Sequence, residues 1–149
     1  MAKFKYRMQN ILSIKEKMEE MEKLNFAEMR QKLTEEENKL EELMRRKEEI
    51  ELEAKKLRNE KIDLLKIKEN TSLMEYLDVS IKTQTLRVRA AEKNLDIARK
   101  KMTVAVQERQ IQEKLRENAF DEFMKEENAA ELKEIDQLTS FTFGQKNRV

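Results

Sequence analysis

The sequence contains no cysteine, histidine, proline or tryptophan, and its one glycine is Gly144. Without cysteine and histidine the chain lacks disulfides, the usual ligands of soft metals and the commonest acid–base catalyst. The absence of cysteine is typical of a cytosolic protein. Because proline is absent and glycine occurs once, the composition favours long, uninterrupted helices.

Aromatic residues make up 5% of the chain and hydrophobic residues 38%, which is too little apolar material for a compact core at 149 residues. No segment approaches the ~18 consecutive apolar residues of a membrane-spanning helix. Charged residues make up 42%, but 32 basic side chains balance 31 acidic ones. Bulk charge therefore does not draw the chain to nucleic acid or to anionic membranes.

The apolar residues of the first half recur at alternating steps of three and four, which is the heptad pattern of a coiled coil. This predicted seam consists of Phe26, Met29, Leu33, Leu40, Leu43, Ile50, Ala54, Leu57 and Leu64. Polar residues fill the skipped steps, namely Glu36, Lys47 and Lys61. A second series begins earlier, about one residue out of phase, and predicts a local change in supercoil. It consists of Ile11, Ile14, Met18 and Met21.

The second half has a seam of the same kind. Its members are Leu77, Ile81, Val88, Ala91, Leu95, Ala98, Met102 and Ala105. The apolar stripe is then predicted to shift to Ile111 and Leu115, followed by Phe120 and Phe123. A narrow stripe of this type needs a partner helix, so each half is predicted to form one strand of a two-stranded coil.

A chain reversal is predicted near the middle of the sequence. Asn70, Thr71 and Ser72 are consecutive poor helix formers, and Ser72 with Glu75 has the pattern of a capping box at a helix start. This local pattern alone leaves a straight rod and a reversed chain equally open.

Charge favours the reversal. Residues 35–53 have a net charge of −5, and a turn at Thr71 would place them beside residues 89–107, which have a net charge of +3. The same turn would set residues 1–15, net +4, beside residues 127–141, net −3. Repeated complementarity of this kind specifies the orientation and register of helices.

The predicted fold is therefore all-α, with two long helices in a single antiparallel coiled-coil hairpin. Each helix would have ~65 residues and a length of ~100 Å. The predicted boundaries are helix 1 at about 4–69, a turn at 70–72, helix 2 at about 73–137 and a frayed, flexible tail at 138–149.

No glycine-rich phosphate loop, nucleophile–base pair or metal-ligand spacing is present in the sequence, which favours an interaction protein over an enzyme. Two apolar clusters could pack within the coil or bind a partner helix. One follows the predicted turn (Leu73, Met74, Tyr76, Leu77, Ile81), and the other joins the two ends (Phe4, Tyr6, Met8, Ile11, Leu12, Phe120, Phe123, Phe141, Phe143). The basic segment 82–101 has no aromatic residue for base stacking, so nucleic-acid binding is the weaker interpretation.

Three segments resemble the FliJ family, a coiled-coil component of the bacterial flagellar type III export apparatus. The start is similar to the aromatic, basic and apolar opening of that family (Phe4-Lys5-Tyr6-Arg7-Met8-Gln9-Asn10-Ile11-Leu12, then Ile14-Lys15). Leu73 to Val88 resembles the segment just past the family's hairpin turn, and Glu113 to Ser140 resembles its C-terminal signature.

The resemblance implies a non-enzymatic protein without cofactors that is similar to the central stalk of rotary ATPases. The implied partners are the hexameric export ATPase, the cytoplasmic domain of the export gate and export chaperones, but not nucleic acid. The implied location is the cytoplasm at the flagellar base, with contact to the membrane only through partners. Alternatives are a stalk protein of a virulence-type secretion system, a purely structural coiled-coil spacer and a nucleic-acid-binding coil.

The resemblance also implies two contact sites. The export-gate contact would fall on Leu73, Leu77, Ser80 and Gln84, whose spacing matches one helical face. The ATPase contact would fall on the paired ends, at Phe4, Arg7, Ile11, Ile14, Leu115, Phe120 and Phe123.

Overall fold

The computed structural model describes residues 2–146 and contains two helices in this range. Helix α1 is Gln9–Asn59, with 51 residues, and helix α2 is Leu64–Lys146, with 83 residues. The two helices pack against each other, and the described part of the chain has no strand. The predicted all-α fold of two long helices is confirmed.

The chain divides into two compact units, and each helix contributes to both. The terminal unit comprises Met1–Glu20 and Val104–Val149, and the turn unit comprises Met21–Thr103. In the turn unit Glu36 bonds to Gln84, while the later residue Lys47 reaches the earlier residue Asp78. In the terminal unit Phe4 packs on Phe120, while the later residue Glu19 reaches the earlier residue Arg109. The helices are therefore antiparallel in both units.

The seam of the turn unit matches the heptad prediction. Ile50, Leu77, Val88 and Ala98 are buried there. The other predicted members are half-buried (Phe26, Met29, Leu33, Leu40, Leu43, Ala54, Leu57, Ile81, Ala91, Leu95, Met102). Leu64 is the exception, because it lies at the helix break and is exposed.

Polar residues at seam positions of the turn unit find partners on the opposite helix. The Gln84 amide nitrogen donates to the backbone carbonyl of Glu36 at 2.9 Å and also to its carboxylate. The ammonium of Lys47 lies 2.9 Å from the carboxylate of Asp78. Asn70 donates from its amide to the carbonyl of Ile50 at 3.4 Å. Each polar layer thus joins one defined pair of positions and specifies the register of the helices.

The chain reverses at residues 60–63, and the predicted turn at 70–72 is wrong. Asp63 is the N-cap of α2, since its carboxylate accepts hydrogen bonds from the backbone N–H groups of Leu65 at 3.1 Å and Lys66 at 3.5 Å. Residues 70–72 lie inside α2, where the Thr71 hydroxyl donates to the carbonyl of Ile67. The capping-box pattern of Ser72 was misleading. Ser72 lies inside α2, where the helix's own hydrogen bonds already use the backbone N–H groups that a cap would satisfy.

The register inferred from the charge blocks is also wrong. Residues 35–53 lie beside the segment that contains Asp78 and Gln84, rather than beside residues 89–107. At the N-terminus the ring of Phe4 packs on Phe120, rather than near residues 127–141. Exposed charge pairs contribute about 0–1 kcal/mol each, so the packing of the seam outweighs the summed charge of the blocks.

Two further boundaries differ from the prediction. Helix α1 begins at Gln9, and residues 2–6 precede it without helical structure. The predicted flexible tail is helical as far as Lys146, while residues 147–149 lie outside the described range. A single glycine costs a helix only about 1 kcal/mol, so Gly144 does not end α2.

In the terminal unit the seam keeps its heptad phase, so the predicted change of phase is wrong. Leu12 and Glu19 are buried, and Lys15 between them is half-buried. The apolar series one residue away is exposed instead (Ile11, Ile14, Met18 in this unit, and Met21 in the turn unit). On α2 the expected shift to Ile111 and Leu115 does not occur either, since both are exposed. Helical continuity keeps the buried positions in register even where they are polar.

Truncating a seam residue should cost far more stability than truncating its exposed neighbour. Leu77 is 1% exposed and Leu73 is 37% exposed. Leu77→Ala should lower the free energy of unfolding by about 2–5 kcal/mol, and Leu73→Ala by less than about 1 kcal/mol. Urea denaturation followed by circular dichroism measures both. Equal losses would contradict the seam.

The position of the turn can be tested with two alanine substitutions. Asp63→Ala removes the N-cap of α2 and should lower the free energy of unfolding by about 1 kcal/mol. Ser72→Ala, inside the helix, should be neutral or slightly stabilising because alanine is the better helix former. Urea denaturation measures both variants. A larger loss of unfolding free energy for Ser72→Ala than for Asp63→Ala would place the turn at Ser72.

Candidate functional site

The seam of the terminal unit is unusually polar. Lys15 donates to Glu108 at 2.8 Å, and the Arg109 guanidinium binds the buried carboxylate of Glu19 and, at 2.6 Å, that of Glu113. The hydrogen bonds to Glu113 and Glu19 raise the pKa of Arg109 above its ordinary value. These charge-assisted contacts fix the pairing of the helices at positions where a coiled coil usually has leucine.

Because Lys15 and Glu19 occupy seam positions on α1, several apolar residues of the terminal unit lie outside the seam. On α1, Ile11 and Ile14 each precede a seam residue by one position, as Ile111 precedes Gln112 on α2. In an antiparallel pair, the same displacement on both helices places both sets on the same side. We call this surface the outer stripe (Ile11, Ile14, Met18, Val104, Ile111, Leu115). Its members are 40% to 58% exposed.

An aromatic cluster closes the N-terminal end of the terminal unit. The Phe4 ring lies 5.2 Å from that of Phe120, nearly perpendicular to it, and 5.4 Å from that of Phe123. The guanidinium of Arg116 lies 6.0 Å from the centre of the Phe4 ring. Such edge-to-face and cation–π contacts hold the non-helical N-terminal segment against α2.

Burial alternates along this N-terminal segment. Phe4 and Tyr6 are half-buried, whereas Lys3, Lys5 and Arg7 are exposed. Over residues 3–6 this alternation is typical of an extended segment, whose successive side chains point to opposite faces, and Arg7 follows in the turn that leads into α1. The segment therefore presents a row of three basic side chains to solvent.

The structure brings together most of the residues predicted to contact the ATPase. Phe4, Phe120 and Phe123 form the aromatic cluster. Ile11, Ile14 and Leu115 belong to the outer stripe, and Arg7 lies in the basic row. All seven residues therefore lie in the terminal unit.

The residues predicted to contact the export gate do not form one exposed face. Leu77 is buried in the seam of the turn unit, and Gln84 is buried with its amide bonded to Glu36. Leu73 is 37% exposed and Ser80 is half-buried, and both lie beside the seam, where Leu73 lines a groove together with Leu57 of α1. Tyr76, which is 66% exposed, lies close to both at helical spacing. It was predicted as part of the apolar cluster after the turn, but not among the gate-contact residues. The heptad phase of α2, which puts Leu77 in the seam, is the signal that leaves Tyr76 outside the seam.

The described residues contain no group of three or more acidic, histidine or cysteine side chains arranged to hold a metal ion. Within the same range, neither helix has a stretch apolar enough to cross a membrane. The surfaces that stand out are the outer stripe, the aromatic cluster with its basic row and the face beside the seam at Leu73, Tyr76 and Ser80.

Comparison with known families identifies a match over most of the chain. The model of a family described as Flagellar FliJ protein matches residues 4–148. No curated protein and no solved structure matches the chain significantly. The family match covers nearly the whole sequence, including both helices and the non-helical segment that carries Phe4. The chain therefore belongs to the FliJ family and is a flagellar export-associated protein.

Proposed function

We propose that this chain is a non-enzymatic stalk component of the flagellar type III export apparatus. It binds the hexameric export ATPase through its terminal unit and the cytoplasmic domain of the export gate through its turn unit. It also helps to deliver export chaperones with their substrates. It acts in the cytoplasm at the flagellar base and reaches the membrane only through these partners.

The observation that carries the proposal is the exposed apolar surface of the terminal unit in a chain of this family. The outer stripe contains six large apolar side chains that the two helices leave uncovered. Contiguous exposed apolar surface of this kind commonly marks a protein interaction site. The aromatic cluster and the basic row beside it supply the anchors and charges that interfaces favour.

The gate contact is proposed for the face of α2 that lies beside the seam, just after the turn. Its accessible members are Leu73, Tyr76 and Ser80, and the chain's own helix pair covers Leu77 and Gln84. The latter two contribute by holding α2 against α1. Leu77 does so by packing, and Gln84 by its bonds to Glu36.

The family match favours the flagellar system over a virulence-type one, because the matched description is flagellar. A purely structural spacer remains the rival from another class. It differs in one measurable respect, since a spacer has no effect on an ATPase.

The ATPase contact predicts a specific loss of binding from the outer stripe. The wild-type chain should bind the cognate ATPase and raise its ATP turnover while hydrolysing no ATP itself. Ile11→Asp with Ile14→Asp should weaken binding about tenfold or more, because each side chain loses apolar burial worth about 1 kcal/mol or more. Titration calorimetry and a phosphate-release assay measure the two effects.

Leu52→Asp is the matched control for this experiment. Leu52 is also on α1 and is 60% exposed, but it belongs to the turn unit. Its substitution should leave binding unchanged, and circular dichroism should give the same helicity for all variants. An ATPase that neither binds nor responds to the wild-type chain would refute the proposal. An equal loss in the control would refute the outer stripe as the contact.

The gate contact predicts that exposed and buried residues of the same segment behave differently. Leu73→Asp with Tyr76→Asp should weaken binding of the gate domain about tenfold while helicity is kept. Leu86→Asp, an exposed residue farther along α2 in the turn unit, serves as the control and should have no effect. Leu77→Asp should instead reduce helicity. Gate binding that survives the loss of Leu73 and Tyr76 would contradict this placement.

A further inference from the structure

The end of α2 is a helix that no other described residue of the chain covers. Helix α2 continues to Lys146, and every described side chain of residues 128–145 is exposed. We call residues 128–146 the extension. At 3.6 residues per turn, Leu132, Ile135 and Phe143 fall within about 80° of one another on it, while Leu138 and Phe141 lie about 120° and 180° from Leu132. These five side chains are 57% to 67% exposed. A short amphipathic helix of this kind is marginal in water unless its apolar face is covered.

The terminal unit thus holds two uncovered apolar surfaces, the face of the extension and the outer stripe. The chain cannot place one on the other, because α2 is a continuous helix from Leu64 to Lys146 and carries its own extension away from Ile111 and Leu115. A second molecule is needed to cover either surface. Two antiparallel helices with apolar residues on one side offer a groove suited to a third amphipathic helix.

Charge selects the occupant. Near its start, the extension carries three acidic side chains, Glu131, Glu134 and Asp136, and one lysine, Lys133. The basic row, by contrast, consists of Lys3, Lys5 and Arg7 and directly precedes the α1 part of the outer stripe. These three side chains form no ion pair among the described residues. Two extensions side by side would repel each other, as would two basic rows. Only the extension of one copy against the basic row of another joins opposite charges.

We propose that two copies of this chain associate reciprocally through their terminal units. The extension of each copy lies on the outer stripe of the other, with its acidic side chains near the partner's basic row. Such an interface is self-complementary, as twofold symmetry requires. Because the outer stripe is also the proposed ATPase contact, the self-associated form cannot bind the ATPase there at the same time. Self-association itself does not rest on the ATPase proposal, since it is measured on the chain alone.

Sedimentation equilibrium of the full chain tests the association. The wild-type chain should form dimers between the low micromolar range and about 100 µM. Dimerisation should weaken as ionic strength rises from about 0.01 M to about 1 M, where the Debye length falls to about 3 Å. A chain that stays monomeric over this concentration range at low salt overturns the proposal and leaves both surfaces to other partners.

Charge reversal gives the most specific test. One variant carries Lys3→Glu, Lys5→Glu and Arg7→Glu, and another carries Glu131→Lys, Glu134→Lys and Asp136→Lys. Each alone should dimerise at least tenfold more weakly than wild type, because both of its contacts join like charges. An equimolar mixture should form the heterodimer with nearly wild-type affinity, since both contacts are then complementary. A mixture that remains as weak as its components overturns the proposal.

The apolar face of the extension is tested with a matched pair of variants. Leu132→Gln with Ile135→Gln should weaken the dimer at least tenfold. Phe141→Gln, on the opposite side of the same helix, should leave it unchanged. Circular dichroism confirms that both variants keep their helicity. An equal loss in the two variants would show that no defined face of the extension is used, which overturns the proposed packing.

Discussion

The heptad positions between α1 and α2 must stay in phase along each helix, whatever residues occupy them. In the turn unit most of these positions are apolar, and polar ones such as Gln84 are bonded across the pair, here to Glu36. In the terminal unit charged side chains share these positions with Leu12 and Ala105, and Glu19 is buried against Arg109. A buried carboxylate is costly unless it is paired and hydrogen-bonded, so such a layer tolerates very few alternative registers. Polar layers therefore determine which residues of the two helices face each other.

The same constraint produces the exposed surfaces. Because Lys15 and Glu19 lie in the seam, Ile11, Ile14 and Met18 lie outside it. A helix pair optimised for its own stability would have the opposite arrangement, with the isoleucines buried. The terminal unit thus leaves apolar side chains exposed within the chain, and a binding partner can bury them. The turn unit is organised differently. Leu77 is buried in its seam, and only a few apolar side chains outside the seam, such as Leu73 and Tyr76, remain accessible.

Sequence patterns predicted the fold class and most of the turn unit, since apolar heptads from Phe26 to Leu57 and from Leu77 to Met102 report burial directly. They did not predict the turn. Asp63 caps α2 without an acidic partner three residues later, whereas Ser72 has that partner but lies inside the helix. Nor could they identify a charged seam, because Ile11 and Ile14 have heptad spacing as good as that of the buried residues. For the same reason the predicted gate residues included Leu77 and Gln84, which the seam covers. The contacts with the gate and the ATPase depend on partner surfaces that one chain does not contain.

The central claim, that polar layers in an in-phase seam determine the register, is tested most directly by cross-linking. The chain has no native cysteine, so introduced pairs are unambiguous. Glu36→Cys with Gln84→Cys joins positions that already share a hydrogen bond of 2.9 Å. Glu36→Cys with Val106→Cys joins positions that a turn at Thr71 would bring together. The account predicts rapid intramolecular cross-linking by a short reagent for the first pair and none for the second. Efficient cross-linking of the second pair, with none in the first, would contradict it.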